Sequence, residues 1–149
     1  MIDSKRYLEE VRKADNRIDR LRNEREELAT KAMSLGSMAS DGMNVQKTAP
    51  DGSRTADAVV RYTALESDII AETDAYIGFR HRVAAQIDDL PNATYARLLD
   101  LRYLRYMKLD KIAEAMHYSP EYTRKLHGYA LLQFQERYSE EIEAYWRLG

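Results

Sequence analysis

From Tyr7 to Leu35, apolar residues recur at Tyr7, Val11, Ala14, Ile18, Leu21, Leu28, Ala32 and Leu35. The steps alternate four and three, Arg25 fills the one missing position, and the intervening residues are nearly all charged, as in "RLRNEREEL". No Pro or Gly interrupts the run after Asp3. That is a heptad seam, and it predicts one long amphipathic helix from Asp3 to about Leu35. A second seam follows at Ala58, Tyr62, Leu65, Ile69, Tyr76, Phe79, Val83 and Leu90, with Glu72 and Gln86 as polar interruptions. It predicts a helix from about Thr55 to Leu90. Between the two, residues 36–55 carry three Gly, one Pro and the turn signatures "SDG" and "PDG", which predict a loop longer than most helix–helix connections. Two such helices fold most simply into an antiparallel hairpin. The same seam also suits an intermolecular bundle, with Val11, Ile18, Leu21, Leu28, Leu65, Ile69 and Tyr76 as its oligomerisation positions.

Past Leu90 the elements shorten. Pro91 disfavours helix at Leu90, and Asn92 or Thr94 can cap a helix over Thr94–Tyr106 whose apolar face holds Leu98, Leu99, Leu101 and Leu104. A short helix is predicted over Leu109–Met116, and a longer one from Pro120 to about Leu148. Ser119 is the N-cap of the last, and Pro120 sits in its first turn, where a missing N–H costs nothing. The pattern divides the chain at residue 90, with 1–90 as the long helical pair and 91–149 as a three-helix module with an extended C-terminal helix. The fold class is all-α. In the tail, Phe134, Tyr138, Ile142, Tyr145 and Trp146 recur at steps of about four, which fits packing against the long helices.

Composition narrows the function classes. Charged residues make up 32% of the 149, and 11 of the 14 aromatics are Tyr, a helix-rich and well-solvated make-up. There is no Cys, so disulfides and thiolate metal sites are excluded. The three His residues, His81, His117 and His127, lack metal-ligand spacing. Nothing resembles a phosphate loop or a nucleophile elbow, so no metal, cofactor or catalytic residue is expected. The start, "MIDSKRYLEE", has no apolar stretch, and no run approaches a membrane span; a cytoplasmic protein is expected. The net charge of −2 hides an asymmetry. Residues 94–138 hold eight Lys/Arg against five Asp/Glu, whereas residues 36–93 hold five against nine. Contact with phosphate depends on the local face, so an acidic total does not exclude nucleic acid.

In "KLDKIAEAMHYSPEYTRKLH", the short helix buries Ile112, Ala113 and Met116, a tight turn falls at His117–Tyr118, and the next helix buries Thr123, Leu126 and Ala130. Three helices so spaced make a helix-turn-helix. Glu121, Tyr122, Arg124 and Lys125 then lie on the exposed front of the second helix of the motif, the part that enters a major groove. Lys108 and Lys111 are further cations nearby.

The stretch "LLDLRYLRYMKLDKIAEAMHYSPEYTRKLHGYALLQF" is similar to region 4 of the sigma-70 family, through Leu101-Arg102-Tyr103, Ile112-Ala113, Ser119, Leu126-His127 and Ala130-Leu131. The "RKLH..AL" form most resembles the sigma-like regulators of Gram-positive phages and prophages, the RinA/ArpU-type late-gene activators. The likeness covers about 45 residues at the C-terminal end. It implies a sequence-specific regulator in the cytoplasm of a bacterial host, binding double-stranded DNA near a promoter through Ser119, Glu121, Tyr122, Arg124, Lys125, Lys108 and Lys111. The long helices would form a homodimer or contact RNA polymerase. The chain departs from the family at Tyr106 and His117, where Gly is usual, and at Thr123, where an aliphatic residue is usual. Arg102 is expected to pair with Glu114 or Asp110. A competing expectation is a phage-encoded helical interaction protein, an inhibitor or adaptor of a host complex that binds protein instead of DNA. The small subunit of a packaging terminase is a third, disfavoured by the order of its modules.

Overall fold

The computed structural model describes residues 3–40 and 52–148, and every regular element among them is helical. Helix α1 spans Asp3–Ser40 and α2 spans Gly52–Asp88. Then come α3 (Ala93–Leu99), a π-helical turn (Asp100–Leu104), α4 (Leu109–Met116) and α5 (Pro120–Leu148). No helix among the described residues is long and apolar enough to cross a membrane. The expected loop at 36–55 is shorter at both ends, since α1 passes Gly36 and runs to Ser40 while α2 starts at Gly52. A helix tolerates an isolated Gly at about 1 kcal/mol, so Gly36 alone does not stop a helix already propagating. The remainder of that loop, 41–51, lies outside the described residues.

The chain divides by packing into two units, Asp15–Ala75 and a second made of Met1–Ala14 with Tyr76–Gly149. This division differs from the punctuation at residue 90, because the start of α1 and the end of α2 pack with the short helices. In the second unit, Tyr7, Leu8, Val11, Val83 and Ile87 share one buried cluster with Leu98, Leu99, Ile112, Leu126, Phe134 and Ile142. Ser4, fully buried, fastens the start of α1 to α5: its Oγ donates to the Leu131 carbonyl at 3.0 Å, and its N–H donates to Gln135 Oε1 at 2.8 Å. Gln86 is a hub and not a mere polar interruption. Its side chain accepts from the Tyr7 hydroxyl at 3.0 Å and its carbonyl from the Tyr138 hydroxyl at 2.8 Å. Tyr138 also marks a kink in α5, with non-helical φ −121° and ψ 25°. The aromatic tail packs as expected: Phe134 and Ile142 are buried, and Tyr145 lies 5.3 Å from Tyr7 and 5.0 Å from Phe79, ring to ring.

In the Asp15–Ala75 unit, Arg17 pairs with Glu72 at 3.8 Å and Arg25 with Glu66 at 3.2 Å. Numbers rise on α1 as they fall on α2, so the two helices run antiparallel here. Arg25 thus occupies its seam position as an ion-pair donor. Ile18 and Ile69 are buried along the seam, while Leu21, Leu28 and Leu65 are half-buried. Of the remaining seam positions, Val11 is buried and Tyr76 half-buried in the other unit.

Candidate nucleic-acid interface

Helix α3 opens at Asn92, whose side chain accepts from the N–H groups of Thr94 at 2.9 Å and Tyr95 at 3.1 Å. The helix expected to reach Tyr106 instead widens at Asp100 into a π-helical turn and stops at Leu104. Arg105 N–H reaches the Asp100 carbonyl and Met107 N–H the Leu101 carbonyl, both across more than the α-helical four residues. Just beyond the turn Tyr106 has φ 61° and so lies outside the right-handed helix. Arg102 serves this turn. Its guanidinium donates to the Met107 carbonyl at 3.0 Å, in place of the expected pairing with Glu114 or Asp110. A backbone carbonyl freed by the turn is the nearer acceptor, and Glu114 instead faces Lys111 at 3.6 Å.

Helix α4 has the boundaries its sequence predicts. It closes with His117 in the left-handed region, φ 61° and ψ 41°. Tyr118 N–H bonds to the Ala113 carbonyl at 2.9 Å and His117 N–H to the Glu114 carbonyl at 3.3 Å. That pair of bonds is the Schellman closure, which usually places Gly where His117 stands. Three residues later α5 begins at Pro120. Ser119 Oγ accepts from Tyr122 N–H at 3.1 Å, the N-cap bond expected of it. The Ser119 carbonyl accepts from both the N–H and the hydroxyl of fully buried Thr123, at 3.0 and 2.9 Å. Ile112, Ala113, Thr123, Leu126 and Ala130 are buried where periodicity placed them, while Met116, assigned to the same core, is half-buried and packs against it.

The opposite face is exposed. Glu121, Tyr122, Arg124 and Lys125 lie on the outer side of the first turns of α5, and Lys108 and Lys111 are exposed at the start of α4. Glu121 sits where the helix dipole favours an acid. Of the cations between Thr94 and Tyr138, Arg105 is held by Asp100, Lys111 by Glu114, Arg137 by Asp89 and Arg102 by the Met107 carbonyl. Arg97, Lys108, Arg124 and Lys125 have no ion pair among the described residues. Tyr118 was not singled out by the sequence. It stands edge-on to Tyr122 at 5.1 Å, 38% exposed beside a Tyr122 that is 48% exposed. Tyr129 and Leu132 continue an exposed apolar strip along α5, and their steps of seven and three from Tyr122 would have shown it. Among the described residues no group of acidic or His side chains is arranged to hold a metal ion. The chain matches no protein-family model, no curated protein and no solved structure.

Proposed function

We propose that the protein is a sequence-specific regulator that binds double-stranded DNA through a sigma-70 region 4-like helix-turn-helix made by α3, α4 and α5, carried on a helical hairpin of α1 and α2. The observation that carries the reading is the turn at His117. A left-handed residue closes α4, Ser119 caps α5, and the short reversal leaves the first turns of α5 outward while their inner side is buried. The family resemblance draws separate support from backbone angles. The two positions where the family keeps Gly, Tyr106 and His117, are the non-Gly residues with positive φ among the described residues.

In this reading α5 enters the major groove by its N-terminal end. Arg124 and Lys125 reach phosphates or the guanine edge, Glu121 accepts from a cytosine amine, and Tyr122, buttressed by Tyr118, packs on a thymine methyl. Lys108, Lys111 and the α5 N-terminus behind Ser119 hold the backbone in register. Exposure of Tyr129 and Leu132 beyond these cations favours a second reading, in which the same helix docks a protein partner.

Fluorescence anisotropy on mixed duplex fragments at about 50 and 200 mM salt tests the proposal. With about four phosphates neutralised by Lys108, Lys111, Arg124 and Lys125, affinity falls ~10²-fold over that range. Arg124→Ala with Lys125→Ala weakens binding and lowers the salt slope by about two while helix content stays unchanged. Absence of binding at the lower salt, or a double variant that binds as well as the parent, rejects the DNA reading and favours the protein partner.

A further inference from the structure

The Asp15–Ala75 unit has a face that its own two helices do not finish. Ile18 and Ile69 are buried, yet Leu21, Leu28 and Leu65 remain half-exposed on one side of the seam. There they form the floor of an open groove. One stretch is walled by Arg17, Arg20, Glu24, Asp68 and Glu72, and the next by Glu24, Glu27, Lys31, Arg61 and Asp68. Glu24 and Asp68 belong to both, so the groove is continuous from Arg17 to Lys31, roughly 21 Å at about 1.5 Å per residue. The α2 wall also presents Ala64 and Ala71, two small exposed residues seven apart that leave room for an approaching helix.

The charges on the α1 wall follow an order. Arg17, Arg20, Glu24 and Glu27 are spaced three, four and three, each one residue ahead of a seam position, so they form one stripe beside the seam. The first two are basic and the last two acidic. A stripe of this kind is complementary to itself when reversed. A copy laid antiparallel sets Arg17 against the second Glu27 and Arg20 against the second Glu24. Twofold symmetry repeats both pairs, giving four ion pairs across one closed interface. The centre of that register falls between Leu21 and Asn23, which brings Leu21 of each copy within about 3 Å of axial offset from the other.

We propose that this groove is the docking face for a second copy of the chain, and that two Asp15–Ala75 units close into an antiparallel four-helix bundle with Leu21, Leu28 and Leu65 in its core. Ile18 and Ile69 are buried within each chain, and the half-exposed Leu21, Leu28 and Leu65 of the same seam join the copies. The proposal does not rest on DNA binding, and its test does not use DNA.

Sedimentation equilibrium on the full chain reads the outcome. The parent protein has twice the chain mass. Glu24→Arg with Glu27→Arg makes the stripe all basic and returns the mass to that of one chain. Arg17→Glu with Arg20→Glu makes it all acidic and does the same. Arg17 also faces Glu72 in its own chain, so the Glu24/Glu27 variant is the cleaner of the two, and circular dichroism checks that both keep their helix content. Mixing the two variants restores the doubled mass, because an all-basic stripe now meets an all-acidic one. A parent protein with the mass of one chain at all concentrations overturns the proposal. So does a doubled mass that survives in both variants, which would put the interface elsewhere, and so does a mixture that fails to associate.

Discussion

Tyr103 and His127 are joined by a 2.7 Å hydrogen bond between the phenol oxygen and Nε2, with the two rings stacked 5.7 Å apart at 25°. Burial lowers the imidazole pKa to about 4, and the positive charges of Arg102 and Lys5 add to the shift. Burial also pushes the Tyr103 phenol well above its usual range. At neutral pH the pair is therefore uncharged, an arrangement that suits a phenol donating to an unprotonated Nε2. The bond ties the π-helical turn to the first third of α5, next to the proposed DNA-reading turns.

This pair gives stability a pH dependence of fixed sign. The folded imidazole titrates near 4 and the unfolded one near 6.5, so between those values the unfolded chain holds more protons. Its stabilising effect is complete above about pH 6.5 and is lost as pH falls toward 4. Urea midpoints at pH 7 and pH 5 measure the loss. His127→Phe retains a ring but cannot titrate, so it is less stable than the parent at pH 7 and loses less between pH 7 and pH 5. Equal losses in both chains would assign the titration to another group.

His117 and Tyr106 share φ 61°, yet Gly should act differently at the two sites. A non-Gly residue in the left-handed region costs about 1–2 kcal/mol. His117 is exposed, so His117→Gly relieves that cost with little loss and raises the melting temperature by roughly 2–4 °C per kcal/mol. Tyr106 is half-buried, its hydroxyl lies 3.4 Å from that of Tyr76, and Arg12 sits 5.3 Å from its ring. Tyr106→Gly removes these contacts together with the strain and gives no net gain. Thermal denaturation of the two variants side by side checks the contrast; a stabilised Tyr106→Gly would show that its packing contributes little.

The same positions show what the sequence could and could not reveal. The bounds of α4 and α5 were legible because they rest on local punctuation, Ser119-Pro120 and a short apolar period, and the outward placement of Arg124 and Lys125 followed from that period. The π-helical turn was not legible, since no apolar period marks a widened turn, and the Tyr106 side chain alone does not advertise its positive φ. The expected partners of Arg102 were carboxylates, because charge is visible in a sequence and a freed carbonyl at Met107 is not. Gln86 looked like a flaw in a seam because a hydrogen-bond hub needs Tyr7 and Tyr138, distant in the chain, to be brought beside it. Tyr118 fell in the turn, where helical periodicity assigns no face.

Thr123 offers a test in which a polar group is dispensable. Its side chain is fully buried in the first turn of α5, and its hydroxyl donates to the Ser119 carbonyl at 2.9 Å. That carbonyl also accepts the Thr123 N–H at 3.0 Å, so it keeps a partner when the hydroxyl is removed. Thr123→Val replaces the hydroxyl by a methyl of similar size and leaves no unsatisfied acceptor, a change that is close to neutral or stabilising. Ser119→Ala one turn earlier differs in kind. It takes the cap from Tyr122 N–H and costs about 1 kcal/mol. In chemical denaturation Thr123→Val should therefore match or exceed the parent midpoint while Ser119→Ala falls below it. A Thr123→Val variant as destabilised as Ser119→Ala would mean that the hydroxyl carries the start of α5, and that the turn depends on Thr123 as well as on its cap.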